Sequence, residues 1–122
     1  MTQTRTEDTL LVVDADGPPI GDPASTRDLI EAAMNAGART IVVPVERLDP
    51  QFLRLGSGIA GEAIQRVLNY KMKFAIVGDV STYVAESDAL RDFIIECERG
   101  HDIYFAPTVD ALLERLAAER DS

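Results

Sequence analysis

The chain has a single cysteine, a single histidine and far fewer basic than acidic side chains, 12 against 21. One thiol, Cys97, excludes an internal disulfide and a zinc site built from several cysteines. One imidazole, His101, leaves at most one Ser-His-Asp arrangement to consider. The shortage of Lys and Arg gives a net charge of −9, which argues against a nucleic-acid partner. No apolar run approaches the roughly 20 residues that span a bilayer, so no membrane partner is expected. Met1 to Asp8 lacks the apolar stretch of a signal peptide, and a cytoplasmic location is the expectation. The Gly-Lys-Ser/Thr end of a phosphate-binding P-loop is absent. There is no internal repeat, low-complexity segment or interdomain linker.

What remains is enough for one core. The 122 residues are 46% hydrophobic, which suits a single folded domain. The expected division is a flexible tail over 1–8, one α/β domain over 9–119 and a short tail over 120–122. Apolar, β-branched runs at Thr9–Ala15, Thr40–Val45, Met72–Gly78 and Ile103–Ala106 read as strands. They are continuous rather than alternating, as in a sheet covered on both faces. Pro44 donates no ladder hydrogen bond, so that end of the second strand should lie near an edge or leave the sheet. A second short extended piece is expected near Ile20, inside the proline-rich loop Gly17–Pro23. Runs with helical spacing separate the strands. Ser25 or Thr26, Ser87 or Asp88, and Thr108 are the expected caps, and Gly37 and Gly100 the stops. Val80–Glu86 reads as a loop. The pattern predicts a mainly parallel, mixed sheet of four or five strands covered by about four helices, with right-handed crossovers.

The densest cluster of small residues is Leu55-Gly56-Ser57-Gly58-Ile59-Ala60-Gly61-Glu62. It follows Asp49-Pro50, which reads as a short helical turn, and it opens a helix. Ser57 lies where its hydroxyl can cap free N–H groups, and the same place suits a bound anion or a phosphorylated serine. The turn is not a nucleophile elbow, because Leu55 and Ile59 occupy the outer glycine positions of that motif. Nothing ties His101 to Ser57, and His101 reads as a surface turn residue. Gly56, Gly58 and Gly61 resemble a dinucleotide glycine pattern but do not close a first strand–helix turn. Asp14, Asp16 and Asp79 fall at strand ends, where they serve as turn residues or share a divalent cation. Arg91 and Asp92 can pair locally, for about 0–1 kcal/mol. Cys97 reads as a packing residue.

These residues carry a resemblance. The Leu55–Glu62 run, Asn69-Tyr70, Phe74-Ala75-Ile76-Val77-Gly78-Asp79 and Leu90-Arg91-Asp92-Phe93-Ile94 are similar to a bacterial family of short proteins, domain of unknown function 4180, over roughly Leu10 to Leu116. More distantly, the order of elements around Ser57-Gly58-Ile59-Ala60 resembles the STAS domain of sulphate transporters and anti-sigma factor antagonists. In antagonists of that type a serine followed by glycine, at the start of the second helix, is phosphorylated by a partner kinase. The resemblance implies that Ser57 is the equivalent position. Leu55-Gly56 stands where that pattern usually has an acidic residue and a serine.

The expectation is therefore a non-enzymatic regulatory or partner-binding module, switched by phosphorylation at Ser57. Its contact surface would include Gly56, Gly58, Gly61, Glu62, Asp79 and Arg91. The resemblance implies a kinase or anti-sigma-like regulator as partner, with a homodimer an open alternative. No cofactor, metal or catalytic residue is expected. The competing expectation is a small-molecule or nucleotide-binding domain that uses the Gly56–Gly61 turn and the Asp79 rim.

Overall fold

Continuous apolar runs become strands when both faces of a sheet are covered. The computed structural model describes residues 10–120 and contains four such strands. They are β1 (Leu10–Val12), β2 (Thr40–Pro44), β3 (Lys73–Val77) and β4 (Ile103–Ala106). All pairings are parallel and the spatial order is β1-β2-β3-β4. The register aligns Leu11, Ile41, Phe74 and Ile103 in one row, and Val12, Val42, Ala75 and Tyr104 in the next. Successive rows point to opposite faces.

The Leu11 row lies beneath three helices, α1 (Pro23–Ala36), α2 (Ile59–Asn69) and α4 (Asp88–Arg99). The Val12 row lies beneath the last helix, α5 (Val109–Arg120), which supplies Leu112 and Leu116. A short helix, α3 (Ser81–Glu86), precedes α4. The strands advance in one direction and all three crossovers lie on one side. Parallel connections that share one hand require that arrangement. Helix α5, which follows the last strand among the described residues, closes the opposite face.

The expected architecture holds, since the described residues form a four-stranded sheet with every pairing parallel and contain five α-helices; the differences are local. Ser81–Glu86 is a helix, not a loop. The cap of α1 is Asp22, whose carboxylate accepts from Ser25 N at 2.8 Å, with Pro23 at the first helical position. Proline there costs no hydrogen bond and pre-sets φ, so the helix begins inside the loop expected to be irregular. β2 is an interior strand. Pro44 is its last residue and lies beyond Val42, the last position paired to β1. The extended piece near Ile20 is one parallel bridge to Leu48. Ser87 and Thr108 accept from Leu90 N and Ala111 N at 3.1 Å each, as their spacing predicted. Helix α5 runs through Arg120, one residue into the expected tail. The expected tail over 1–8, the strand residue Thr9 and residues 121–122 lie outside the described residues.

Two polar clusters fix the periphery. Arg47 donates from Nε to the Pro18 carbonyl at 2.7 Å, and from Nη1 to the carbonyls of Asp14 and Asp16 at 2.9 and 3.1 Å. One guanidinium fork thus holds the loop that follows β1. Gly17, at φ +143°, gives it room, since a Cβ there would collide with the guanidinium. On the α5 face, the buried Tyr104 hydroxyl lies 2.7 Å from Glu119 Oε1 and 2.8 Å from the His101 carbonyl. Lys73 Nζ donates to the Tyr104 hydroxyl oxygen at 3.2 Å, and Arg115 stacks over the Tyr104 ring. Burial works to raise the Glu119 carboxyl, but hydrogen bonds from Tyr104, His101 and Arg115 outweigh it and hold the group below the ordinary glutamate value.

Arg47→Lys should lower stability by about 1–2 kcal/mol in urea denaturation, because an ammonium cannot reproduce the fork. The depressed Glu119 carboxyl adds stability above the ordinary glutamate pKa of about 4.3, and that contribution is lost as pH falls through its own lower value. Glu119→Gln should therefore flatten the acid limb of the stability–pH curve below about pH 4, measured by denaturation midpoints across pH.

Candidate functional site

The connection from Pro44 to Ile59 is long for a parallel crossover, and its sequence shows how it is held. After the Ile20–Leu48 bridge, Asp49 begins a tight turn. Its Oδ1 accepts from Gln51 N at 2.8 Å, and its carbonyl accepts from Phe52 N at 2.8 Å. The next two side chains enter the core, with Phe52 at 1% and Leu53 at 4% exposure. The Phe52 ring stacks on Phe74 of β3 at 6.1 Å. The chain then rises through a 3-10 turn, Leu55–Ser57, and enters α2.

Ser57 sits at the end of that turn. Its Oγ donates to the Gln51 carbonyl at 2.9 Å and accepts from Ile59 N at 3.3 Å. It was expected at the cap of α2, but the cap residue is Gly58, at φ +82°. Glycine reaches that left-handed conformation without steric cost, so the chain turns at Gly58 and leaves Ser57 one position earlier. The serine still satisfies the first amide of the helix. Its proton is directed at the Gln51 carbonyl, which is not a general base. His101 pairs instead with Glu119, Nδ1 to Oε1 at 3.3 Å. These two residues are not parts of one catalytic triad.

Around Ser57 the backbone is bare. A Cβ placed at Gly56, Gly58 or Gly61 would meet nothing within 4 Å. Beside the turn is a cleft of about 200 Å³ between the starts of α1 and α2. Its lining includes Asp22, Thr26, Asp49, Ser57, Glu62 and Arg66. Hydrogen bonds from Ser25 hold the Asp22 carboxyl below its ordinary value. Thr26 is 2% exposed, and its Oγ1 has no hydrogen-bond partner among the described residues.

The remaining expected residues lie elsewhere. Asp79 lines a different cavity, of about 500 Å³, with Gly78 and Phe105. Its Oδ1 accepts from Ser81 N at 2.9 Å, and hydrogen bonding from the Ser81 side chain and then from that amide lowers its pKa. Arg91 pairs with Asp88 at 2.9 Å rather than with Asp92, and lines neither cavity. Asp14 and Asp16 contribute carbonyls to Arg47. Among the described residues, no group of three or more His, Cys, Asp or Glu is placed to hold a metal ion. Cys97 is buried, which pushes its thiol up to about 11 against the pull of Arg115. No described helix is long and apolar enough to cross a membrane.

The sequence reading missed Asp22, Asp49, Thr26 and Arg66 as neighbours of Ser57. One signal was present. Asp22-Pro23 and Asp49-Pro50 are the same dipeptide, each starting a turn that the fold brings to the cleft.

A family profile matches residues 5–116, and its description is Domain of unknown function (DUF4180). The chain belongs to this family. No curated protein matches it, and no solved structure does. The matched span of this DUF4180 chain contains the whole cleft and the Ser57 turn.

Thr26→Val removes a buried hydroxyl without a partner and keeps the shape, so thermal or urea denaturation should show a gain of about 1 kcal/mol. Asp22→Ala should lose about 1 kcal/mol, the usual cost of deleting a cap.

Proposed function

We propose that this protein is a non-enzymatic partner-binding module that presents the Ser57 turn, resembling in this respect the anti-sigma factor antagonists. One observation carries the reading. Ser57 is exposed on a turn whose geometry is set by its own hydroxyl and by buried Phe52, and Gly56, Gly58 and Gly61 beside it face open space. A surface so pre-formed binds with little ordering cost. Among the described residues, Ser57 Oγ meets the Gln51 carbonyl and the Ile59 amide, neither of them a general base, which favours contact over nucleophilic chemistry.

The same hydroxyl suits a switch. A phosphate would add about −1.5 to −2 charge. It would also remove the proton now given to Gln51, and it would stand among Asp22, Asp49 and Glu62. Repulsion and the lost bond together would loosen the turn. The alternative small-molecule or nucleotide reading asks the glycine turn and Asp79 to share a site, but Ser57 and Asp79 line separate cavities.

Partner capture from the native cell, quantified by mass spectrometry, tests the proposal. Ser57→Asp should lose a partner at least about tenfold, roughly 1.4 kcal/mol, while Ser57→Ala keeps it within a few-fold. Equal capture by both variants would remove the switch.

A further inference from the structure

We propose that a separate cleft, at the amino ends of the strands and away from Ser57, binds the phosphate group of a small phosphomonoester. The chain has only two lysines, Lys71 and Lys73. Both line this cleft, of about 310 Å³, together with Arg39, Leu68, Met72 and Asp102. Parallel pairing brings the starts of β2, β3 and β4 side by side here. Lys73 N donates to the Arg39 carbonyl at 2.8 Å, and Phe74 N donates to the Asp102 carbonyl at 2.9 Å. Three cations therefore stand against one carboxylate, in a chain whose acidic residues outnumber its basic ones, 21 to 12. Among the described residues, no ion pair or side-chain hydrogen bond engages Arg39 or Lys71. Lys73 is already positioned, since its Nζ donates to the Tyr104 hydroxyl at 3.2 Å, and its ammonium keeps two further donors.

The backbone of Lys71 is the independent observation. Helices α1 and α2 end on the same kind of turn. Gly37 N and Ala38 N donate to the Met34 and Ala33 carbonyls at 3.1 and 2.8 Å, and Lys71 N and Met72 N donate to the Leu68 and Val67 carbonyls at 2.8 and 3.3 Å. Such a turn needs a left-handed residue, which glycine supplies without steric cost. Gly37 has φ +71° and Lys71 has φ +60°. Lys71 is the only residue other than glycine with a positive φ among the described residues. A lysine kept in a strained conformation, beside uncompensated charge, points to a use for its side chain. The surplus of two positive charges, three cations less one carboxylate, matches the charge of about −1.5 to −2 on a phosphomonoester near pH 7. A carboxylate would meet only half of it. Arg39 offers a planar fork and the lysines offer point charges, and phosphates take both kinds of donor. Leu68 and Met72 form an apolar wall for the carbon portion. Asp102 accepts from a hydroxyl on that portion, which favours an ester over inorganic phosphate. The acidic excess of the whole chain opposes a phosphate polymer, so the occupant is small.

The test is an NMR titration of the full chain at low salt with glycerol 3-phosphate. Glycerol, acetate and inorganic phosphate are run beside it. Glycerol 3-phosphate should give saturable shifts centred on Arg39, Lys71, Lys73 and Asp102, weakened by added salt. Affinity should fall at least about fivefold, roughly 1 kcal/mol, in Lys71→Gly and in Arg39→Gln. It should stay within about twofold in Arg91→Gln, at the other end of the sheet. Lys71→Gly should keep or raise the urea midpoint, because glycine fits the left-handed turn. Glycerol should give no saturable shift, and acetate should bind at least about fivefold more weakly. Linear shifts, equal binding of acetate, or unchanged affinity in Lys71→Gly and Arg39→Gln would overturn the proposal. A lowered midpoint in Lys71→Gly would assign the lysine to the helix end and overturn its role in the cleft. Inorganic phosphate binding more than about tenfold tighter than glycerol 3-phosphate would assign the cleft to the free ion and overturn the ester.

Discussion

The insertion of Phe52 and Leu53 into the core is the constraint on which the functional surface depends. The segment after β2 is long, rich in turns and without a strand of its own. Left to itself, such a loop samples many conformations. Two buried apolar side chains and the stack on Phe74 reduce that freedom to one arrangement. Burying a Phe and a Leu contributes about 1.5–3 kcal/mol each, which is enough to hold a short loop. Gln51 is then fixed beside Phe52, and the Ser57 hydroxyl has a stationary carbonyl to meet. The turn is rigid because its foot is buried, not because its glycines are.

The winding of the sheet explains where this surface lies. Strands that advance in one direction, with all crossovers on one face, set α1 and α2 side by side. The loops after β1 and β2 then meet beyond the carboxyl ends of those strands, joined by the Ile20–Leu48 bridge. Open parallel sheets usually bind ligands at that end. Arg47 holds the first loop by its carbonyls, and Phe52 holds the second by its side chain. The cleft is the gap between two separately secured loops. The opposite face is covered by α5, which is fastened to Tyr104 through Glu119.

Much of the fold could be read from the chain because its strands are continuous apolar runs. Ile103–Ala106 needed nothing more. Glycine stops and serine caps were legible for the same local reason, as at Gly37 and Ser87. What failed was non-local or depended on proline. Asp22 outcompeted Ser25 as a cap because Pro23 pre-sets the helix start. Ser81–Glu86 is only six residues long, and Val80, Tyr83 and Val84 make too short a run of helical spacing to announce a helix. Gly58, not Ser57, turned the chain into α2. The cleft was illegible for a different reason. Asp22, Asp49 and Glu62 belong to three segments, and only the packing of α1 on α2 brings them together. Thr26 looked like an ordinary cap, and its unpartnered hydroxyl is a property of burial alone.

Native-state hydrogen exchange at the backbone amides of Phe52, Arg54 and Ser57 tests the central claim, that a buried foot makes the Ser57 turn a pre-formed surface. Each of these amides is bonded within the loop, to Asp49, Gln51 and Arg54 carbonyls at 2.8, 3.1 and 2.9 Å. If releasing the turn requires Phe52 to leave the core, all three should exchange with free energies near that of the β2–β3 ladder. Exchange at the rate of an unstructured loop, beside a protected sheet, would contradict the account.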